Sequence, residues 1–195
     1  MPRHSHEHQR HHESGPIEGR QSDRYDTIAR LFAKPFYSRM AKEIAAFAPK
    51  GATVLDVGTG PGILLKMLIR ARPDLRITGI DIAADMIEHA RHNLADLATP
   101  PDLRAADVAD LPFEDDRFDL VIATFSSHHW DDPEAGAAEI ARVLRSGGSL
   151  RIYDFRDAPF DAVTGQPGLA DFRETTFRSV WSWFMKATRL DATAV

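Results

Sequence analysis

The chain has 195 residues, 43% of them hydrophobic, and a formal net charge of −5. That length fits one domain of ordinary size with enough apolar residues for a sizeable core. Cysteine is absent, which excludes disulfides, thiolate metal sites and a cysteine nucleophile; the acidic balance, with Lys and Arg scattered, argues against nucleic acid as a partner, and no apolar run approaches the roughly 18–20 residues of a membrane span.

The opening stretch "MPRHSHEHQRHHESGPIEGR" is rich in His and poor in apolar residues. Such a composition predicts disorder, so residues 1–22 are set apart from a single domain over 23–195. His4, His6, His8, His11 and His12 carry imidazoles able to hold a divalent metal. Ile17-Glu18-Gly19-Arg20 spells a protease cleavage site, so a purification leader is the competing reading. No metal site is assigned. No signal-peptide h-region follows the start, and a cytoplasmic protein is expected.

Asp23 is placed to N-cap a helix with Ile28, Ala29, Leu31 and Phe32 at its apolar positions. Pro35 restarts it, and "FYSRMAKEIAAFA" continues with Met40, Ile44 and Phe47 on one face. Pro49-Lys50-Gly51 breaks the chain. A strand over Thr53–Val57 follows, then a glycine turn, then a helix over 63–72 with Leu64, Leu65, Leu68 and Ile69 inward. Pro73 ends it. A strand over 76–80 ends at Asp81, and a helix over 84–97 turns Met86, Ile87, Ala90 and Leu94 inward.

Pro100-Pro101 interrupts again before a short strand over 103–106 that ends at Asp107. Phe118–Thr124 is the most apolar strand. Pro133 opens a helix running to Leu144, and Gly147-Gly148 turn the chain into a strand over 150–155. Strands alternating with helices mean a parallel sheet covered on both faces. Farther on, Pro159, Gly165, Pro167 and Gly168 leave little room for a long helix. "FRETTFRSVW" and "KATRLDATAV" predict an antiparallel hairpin at the sheet edge, turning near Trp183-Phe184. A helix over 181–190 is the alternative.

Within the glycine turn, "VLDVGTGPGILL" (54–65), Gly58, Gly60 and Gly62 bury no side chain and cost backbone entropy. They serve a sharp turn or a ligand pressed against bare backbone. In a doubly wound sheet, ligands sit outside the carboxyl ends of the strands where strand order reverses, and the first turn forms one wall of that crevice. The helix N-terminus behind the turn favours an anionic group. Asp81, about 20 residues on, stands where an acid accepts from ribose hydroxyls. Loop and acid together point to a nucleoside-containing ligand. A dinucleotide loop would read G-x-G-x-x-G/A, and Ile63 occupies the wrong place for it. Asp56 just before the loop suits a ligand bearing an amine and a sulfonium better than a pyrophosphate.

The stretch 54–62 resembles the first motif of the class I S-adenosylmethionine-dependent methyltransferases, a D/E-x-G-x-G-x-G loop. "GIDIAADMIEHAR" resembles their second acidic motif, "AADVADLPFEDDRFDLVIATFSSHHW" their third-strand aspartate and fourth strand, and "EIARVLRSGGSLRIYDF" their late glycine turn and fifth strand. The resemblance covers residues 25–155. It implies a Rossmann-like, doubly wound α/β fold, with the predicted hairpin at its edge, and S-adenosylmethionine as cofactor. It further implies that the Gly58, Thr59, Gly60 and Gly62 backbone holds the methionine part, with Asp56 supporting loop and amine. Asp81 would bind the ribose hydroxyls, with Ile82 and Met86 beside the nucleoside. Asp107 would accept from the adenine amino group near the Val108 amide. Thr124 and Phe125 would face the methionine moiety and the acceptor. Asp81 and Asp107 also fit ordinary cap or turn residues.

Methyl transfer from a sulfonium is an in-line displacement, so alignment and a dry site do most of the work. A base is needed only where the acceptor must lose a proton. "FSSHHWDDP" (125–133) supplies His128 and His129, and imidazole is the side chain suited to that task. His129, next to Trp130, is the first candidate; either ring also fits a packing or capping role. Tyr25, Phe36 and Tyr37 fit a lid over the crevice or plain packing. The reading is a methyltransferase for a small-molecule acceptor, binding neither nucleic acid nor membrane. The alternatives are a non-catalytic nucleoside-binding module and a nicotinamide-dependent oxidoreductase.

Overall fold

The computed structural model describes residues 35–178 and 186–195. The expected leader and the helix capped by Asp23 lie outside them, as does the turn at Trp183-Phe184. The chain forms helix α1 over 35–47, then β1 (Thr53–Val57), α2 (Ile63–Ala71), β2 (Arg76–Asp81), α3 (Ala84–Leu94), β3 (Asp102–Ala105) and β4 (Phe118–Thr124). A 3-10 turn (Ser127–His129), α4 (Pro133–Val143), β5 (Leu144–Phe155), α5 (Phe160–Thr164), β6 (Leu169–Arg178) and β7 (Lys186–Ala194) complete it.

The strands make one seven-stranded sheet in the order β3-β2-β1-β4-β5-β7-β6. β1 to β5 run parallel, and β7 joins β5 antiparallel with β6 outside it. The expected hairpin is present, and it occupies the edge. Its later strand lies inside, between β5 and β6. Strand pairing over 186–190 excludes a helix there. β1 leads toward β2 on one side and meets β4 on the other, so strand order reverses between β1 and β4. The crevice expected of such a reversal lies beyond Val57 and Thr124.

Alternate residues of each strand feed two apolar layers, as the period of two requires. Leu55, Val57, Val121 and Ala123 pack with Ala137, Ile140 and Val143 of α4 and with Phe160 and Val163 of α5. Val54, Leu120 and Ile122 pack with Met40 and Ile44 of α1, with Leu64, Leu65 and Leu68 of α2, and with Ile87, Ala90 and Leu94 of α3. Ile69 and Met86, expected inward, are only half-buried. Phe47 departs further and is 42% exposed. α1 buries Phe36, Met40, Ala41 and Ile44, a face that leaves Phe47 at its rim under the Arg151 guanidinium, 3.8 Å from the ring centre. The ion pairs Glu43–Arg189 (3.1 Å), Arg189–Asp191 (2.9 Å) and Arg151–Asp191 (2.6 Å) tie α1 to β7 and β5.

The glycine turn before β5 appears as a looped-out stretch within the strand. Phe118 pairs with Leu144 but Leu120 already pairs with Ser149, so residues 145–148 bulge out, with Gly147 at φ 76°. α3 ends three residues earlier than expected, at Leu94. β3 starts one residue earlier, at Asp102, and the short α5 follows Pro159. Among the described residues no helix is long and apolar enough to cross a membrane.

Candidate active site

The loop after β1 turns on two backbone bonds, from the N–H groups of Gly58 and Thr59 to the carbonyl of Ile80 in β2 (2.9 and 2.8 Å). Gly58, Gly60 and Gly62 all have positive φ, at 72°, 51° and 76°, where glycine is tolerated without strain. Their surroundings differ. A Cβ on Gly58 would fall 2.2 Å from the Cβ of Ser126, and one on Gly62 2.9 Å from Leu94 Cδ1. Gly60 meets nothing within 4 Å. Two glycines thus serve the packing of the loop, and Gly60 alone faces open space.

Asp81, at the end of β2, accepts from the Gly60 N–H (2.8 Å) and the Ala83 N–H (3.0 Å). It latches the loop to β2 at the one glycine that is uncovered. Burial pushes its carboxyl above the ordinary value, the two amides partly offset this, and Asp85 adds to the rise. A carboxylate has lone pairs for further donors, so the latch and a ligand hydroxyl are compatible. Ile82 beside it is 66% exposed, a large apolar side chain standing at the mouth of the crevice.

Asp56 is 1% exposed and projects from the middle of the sheet into the α1–α2–α3 layer. Neither oxygen has a hydrogen-bond partner, and neither does the buried Thr59 hydroxyl. Gly79 pairs with Asp56 across the β1–β2 register, and a Cβ there would lie 3.1 Å from Thr59 Oγ1. Desolvation pushes the Asp56 carboxyl up to about 7, with the nearby Thr59 hydroxyl opposing the rise and Asp81 adding to it. Buried polar groups left unpaired are uncommon. Here three such oxygens sit behind a bare loop, and a ligand ammonium group is chemically suited to them.

On the β3 side, Asp107 accepts from the Ala109 N–H (2.9 Å), a turn bond, and Val108 is buried in the α4 layer. On the β4 side, Thr124 is 7% exposed. Phe125 follows at φ 53°, a conformation costing a bulky residue about 1–3 kcal/mol. Its N–H donates to the Tyr153 carbonyl (2.8 Å), and the Ser126 hydroxyl donates to the Val57 carbonyl (2.7 Å). These bonds hold the kink and join the ends of β4, β5 and β1.

The kink leads into the 3-10 turn and its two histidines. His128 Nδ1 lies 2.7 Å from Oδ1 of Asp154, whose side chain is fully buried. Asp154 also accepts from the Ser127 hydroxyl (2.6 Å), the His128 N–H (3.2 Å) and its neighbour's N–H at Phe155 (2.7 Å). An acceptor at Nδ1 puts the proton there and leaves Nε2 as the basic nitrogen. His129 has no such partner among the described residues; its ring centre lies 4.0 Å from that of His128. Trp130, expected to bear on His129, packs instead into the α4 layer against Gly136.

Reading the sequence missed Asp154, Ser126 and Phe155. Asp154 stands next to last in the run "RIYDF", near the carboxyl end of β5, the place where an acid is informative; that was the available signal. Phe36 and Tyr37 do come to this end of the sheet. Their ring centres lie 5.6 and 6.4 Å from that of Phe125. Tyr25 lies outside the described residues. A cavity of about 830 Å³ opens at the opposite end of the sheet, among the first residues of β1 to β4. It is remote from the strand-order reversal, and is lined by charges of both signs.

Among the described residues no group of His, Asp and Glu is arranged to hold a metal. A crevice at the β1/β4 reversal, a bare loop latched by an acid, and a sheet with one antiparallel strand at β7 define a nucleoside-binding α/β domain. Residues 55–152 match the family model of a methyltransferase domain, and the chain belongs to the S-adenosylmethionine-dependent methyltransferases of class I. It is 34% identical over 149 residues to a phosphatidylethanolamine N-methyltransferase of Cereibacter sphaeroides, covering 74% of this chain and 71% of that one. It is 32% identical over 143 residues to a ubiquinone/menaquinone biosynthesis C-methyltransferase of Geotalea daltonii, covering 70% of this chain and 60% of the relative. The chain thus spans less than two thirds of the length of the latter. A solved methyltransferase structure from Aquifex aeolicus superposes with a TM-score of 0.69 at 21% identity, covering 90% and 97% of the two chains.

Proposed function

We propose that this chain methylates a small-molecule acceptor, using S-adenosylmethionine held in the crevice between β1 and β4. The observation that carries the reading is the pairing of an open Gly60 with the orphaned oxygens of Asp56 and Thr59 behind it. When bound, the cofactor supplies a methyl group already activated by its sulfonium. The backbone at Gly58, Thr59, Gly60 and Gly62 takes the methionine end, and Asp56 faces its ammonium. Asp81 accepts from the ribose hydroxyls, with Ile82 and Met86 along the nucleoside. Asp107 and the Val108 amide would hold the base, and Thr124 would face the methionine moiety.

His128 acts as the general base and Asp154 as its positioning residue, which shifts the first candidacy from His129 to its neighbour. The buried carboxylate holds the ring, sets its tautomer and stabilises the charge that forms when Nε2 takes a proton. His129 packs against that ring at a tilt of 43°. The cytoplasm is the compartment this reading assigns, and the reading includes neither nucleic acid nor membrane as partner.

Two measurements test it. Calorimetry should find binding of S-adenosylhomocysteine and none of NAD, and labelled S-adenosylmethionine should pass its methyl to members of a metabolite library. Binding of NAD alone would favour an oxidoreductase. Binding of S-adenosylhomocysteine with no transfer to any metabolite would favour a non-catalytic module.

A further inference from the structure

We infer that the acceptor is a flat aromatic hydroxyl compound, a phenol or fused-ring equivalent. This rests on the methyltransferase reading and goes further, because it names what the acceptor half of the site recognises.

Four rings gather beyond the ends of β4 and β5. Phe125 lies 5.2 Å from Phe155, Phe36 packs at 5.6 Å and Tyr37 stands edge-on at 6.4 Å. The His128 ring joins the group at 5.1 Å from Phe155. Phe36 is buried, whereas Phe125, Phe155 and Tyr37 are only half-buried, so the cluster is not closed over by the core. Phe125 reaches this place only through its left-handed backbone. There it packs at the edge of the α1-side core layer, against Phe36 and Tyr37. Its ring also meets Phe155, which in turn lies beside the His128 ring. Strain retained at such a position is a sign of function.

The chemistry of the base narrows the class. A carboxylate acceptor is already ionised and needs no base, so a histidine on a buried aspartate would be idle. An amine or hydroxyl does lose a proton. Proton transfer to imidazole is most effective when donor and acceptor pKa values are not far apart, which favours a phenol over an aliphatic alcohol. Aromatic walls favour flat rings, through offset and edge-to-face contacts beyond simple burial. Both halves of the argument converge on the same ligand. In the step, a lone pair of the phenolic oxygen attacks the methyl carbon and the carbon–sulfur bond breaks with its electron pair left on sulfur. The phenolic proton passes to Nε2 of His128, which returns it to solvent. The products are an aryl methyl ether and the neutral thioether S-adenosylhomocysteine.

The test uses the full chain saturated with S-adenosylhomocysteine, and a matched pair of probes, 2-naphthol and its saturated analogue decahydro-2-naphthol. Naphthol should bind about tenfold more tightly. Its absorption should move toward that of the naphtholate at neutral pH, and the shift should vanish in His128→Gln. Phe125→Leu, measured with the variant saturated with S-adenosylhomocysteine, should cut the preference for the aromatic probe to about twofold. Equal binding of both probes, or a preference for the saturated one, overturns the inference. So does failure of naphthol to bind when S-adenosylhomocysteine does. Failure of S-adenosylhomocysteine itself to bind is the separate result that overturns the methyltransferase reading, and this inference with it.

Discussion

The imidazole of His128 rests on Asp154, 2.7 Å away, and Asp154 has no exposed surface. The two residues come from different connections, one from the turn after β4 and one from the end of β5. A fully buried carboxyl is costly unless hydrogen-bond donors surround it. Four surround Asp154, and the ring is one of them.

The first prediction follows from that contact. His128→Gln should lower kcat by roughly 10²–10⁴-fold and leave cofactor affinity unchanged. Asp154→Asn should also lower kcat and should alter the pH–rate profile, since it changes the tautomer while keeping the shape. His129→Gln should cost less than about tenfold. Steady-state kinetics over a pH series decide; a larger loss in His129→Gln than in His128→Gln would return the role to His129.

Asp81 latches Gly60, and in the proposed reading its remaining lone pairs accept from the ribose hydroxyls. Asp81→Ala should therefore weaken S-adenosylhomocysteine by about 1.5–3 kcal/mol, the value of a hydrogen bond to a charged group. Asp81→Asn should weaken it less. Calorimetry on folded variants gives the answer, and unchanged affinity in both would remove Asp81 from the site.

The glycines separate under substitution. Gly58→Ala should lower the melting temperature sharply, because its Cβ would fall 2.2 Å from that of Ser126. Adding Ser126→Gly should restore part of the loss. Gly60→Ala, with open space around it, should cost about 1 kcal/mol of stability through its positive φ yet weaken cofactor binding by more than that. Thermal melts beside calorimetry distinguish the two; a melt equally depressed at both positions would contradict the assignment.

Asp56 gives a pH prediction whose sign is fixed by its raised carboxyl. Folding keeps the proton to about 7, against an ordinary value of 3.8. The folded chain therefore holds more protons than the unfolded one between those values. Its stability falls as pH rises through that window, by up to roughly 4 kcal/mol. Asp56→Asn should flatten that slope, and denaturant unfolding at pH 5 and pH 8 measures it. Near pH 6, S-adenosylhomocysteine should displace the proton. Calorimetry in buffers of different ionisation enthalpy should register its release, and zero release would detach Asp56 from the ligand.

Much of this architecture was legible in the residues, and the reasons are physical. β1 and β4 read correctly to the residue because apolar runs bounded by turn residues leave one register. The glycine loop and Asp81 were legible because their chemistry is local, within one turn and the strand beside it. Asp154 was not. Its meaning lies in a contact with a residue 26 positions away, and nothing in "RIYDF" announces that partner. Phe47 misled because helix periodicity gives a face but not where the neighbouring layer stops. Only the assembled sheet shows that Ser126 presses on Gly58, so the sequence could not divide three glycines into two that pack and one that is bare.

The placement of β7 between β5 and β6 also bears on how the chain is made. β6 leaves the ribosome before β7, but among the described residues it pairs with the sheet only through β7. Until residues 186–194 emerge, β5 presents a bare edge over its paired length and β6 has nowhere to dock. An exposed edge is a template for pairing with other chains, and partly made domains are where such mispairing begins. A nascent chain that has emerged only as far as Arg178 has all the described helices outside the ribosome and its sheet still open at β5, sticky toward its neighbours on the same message.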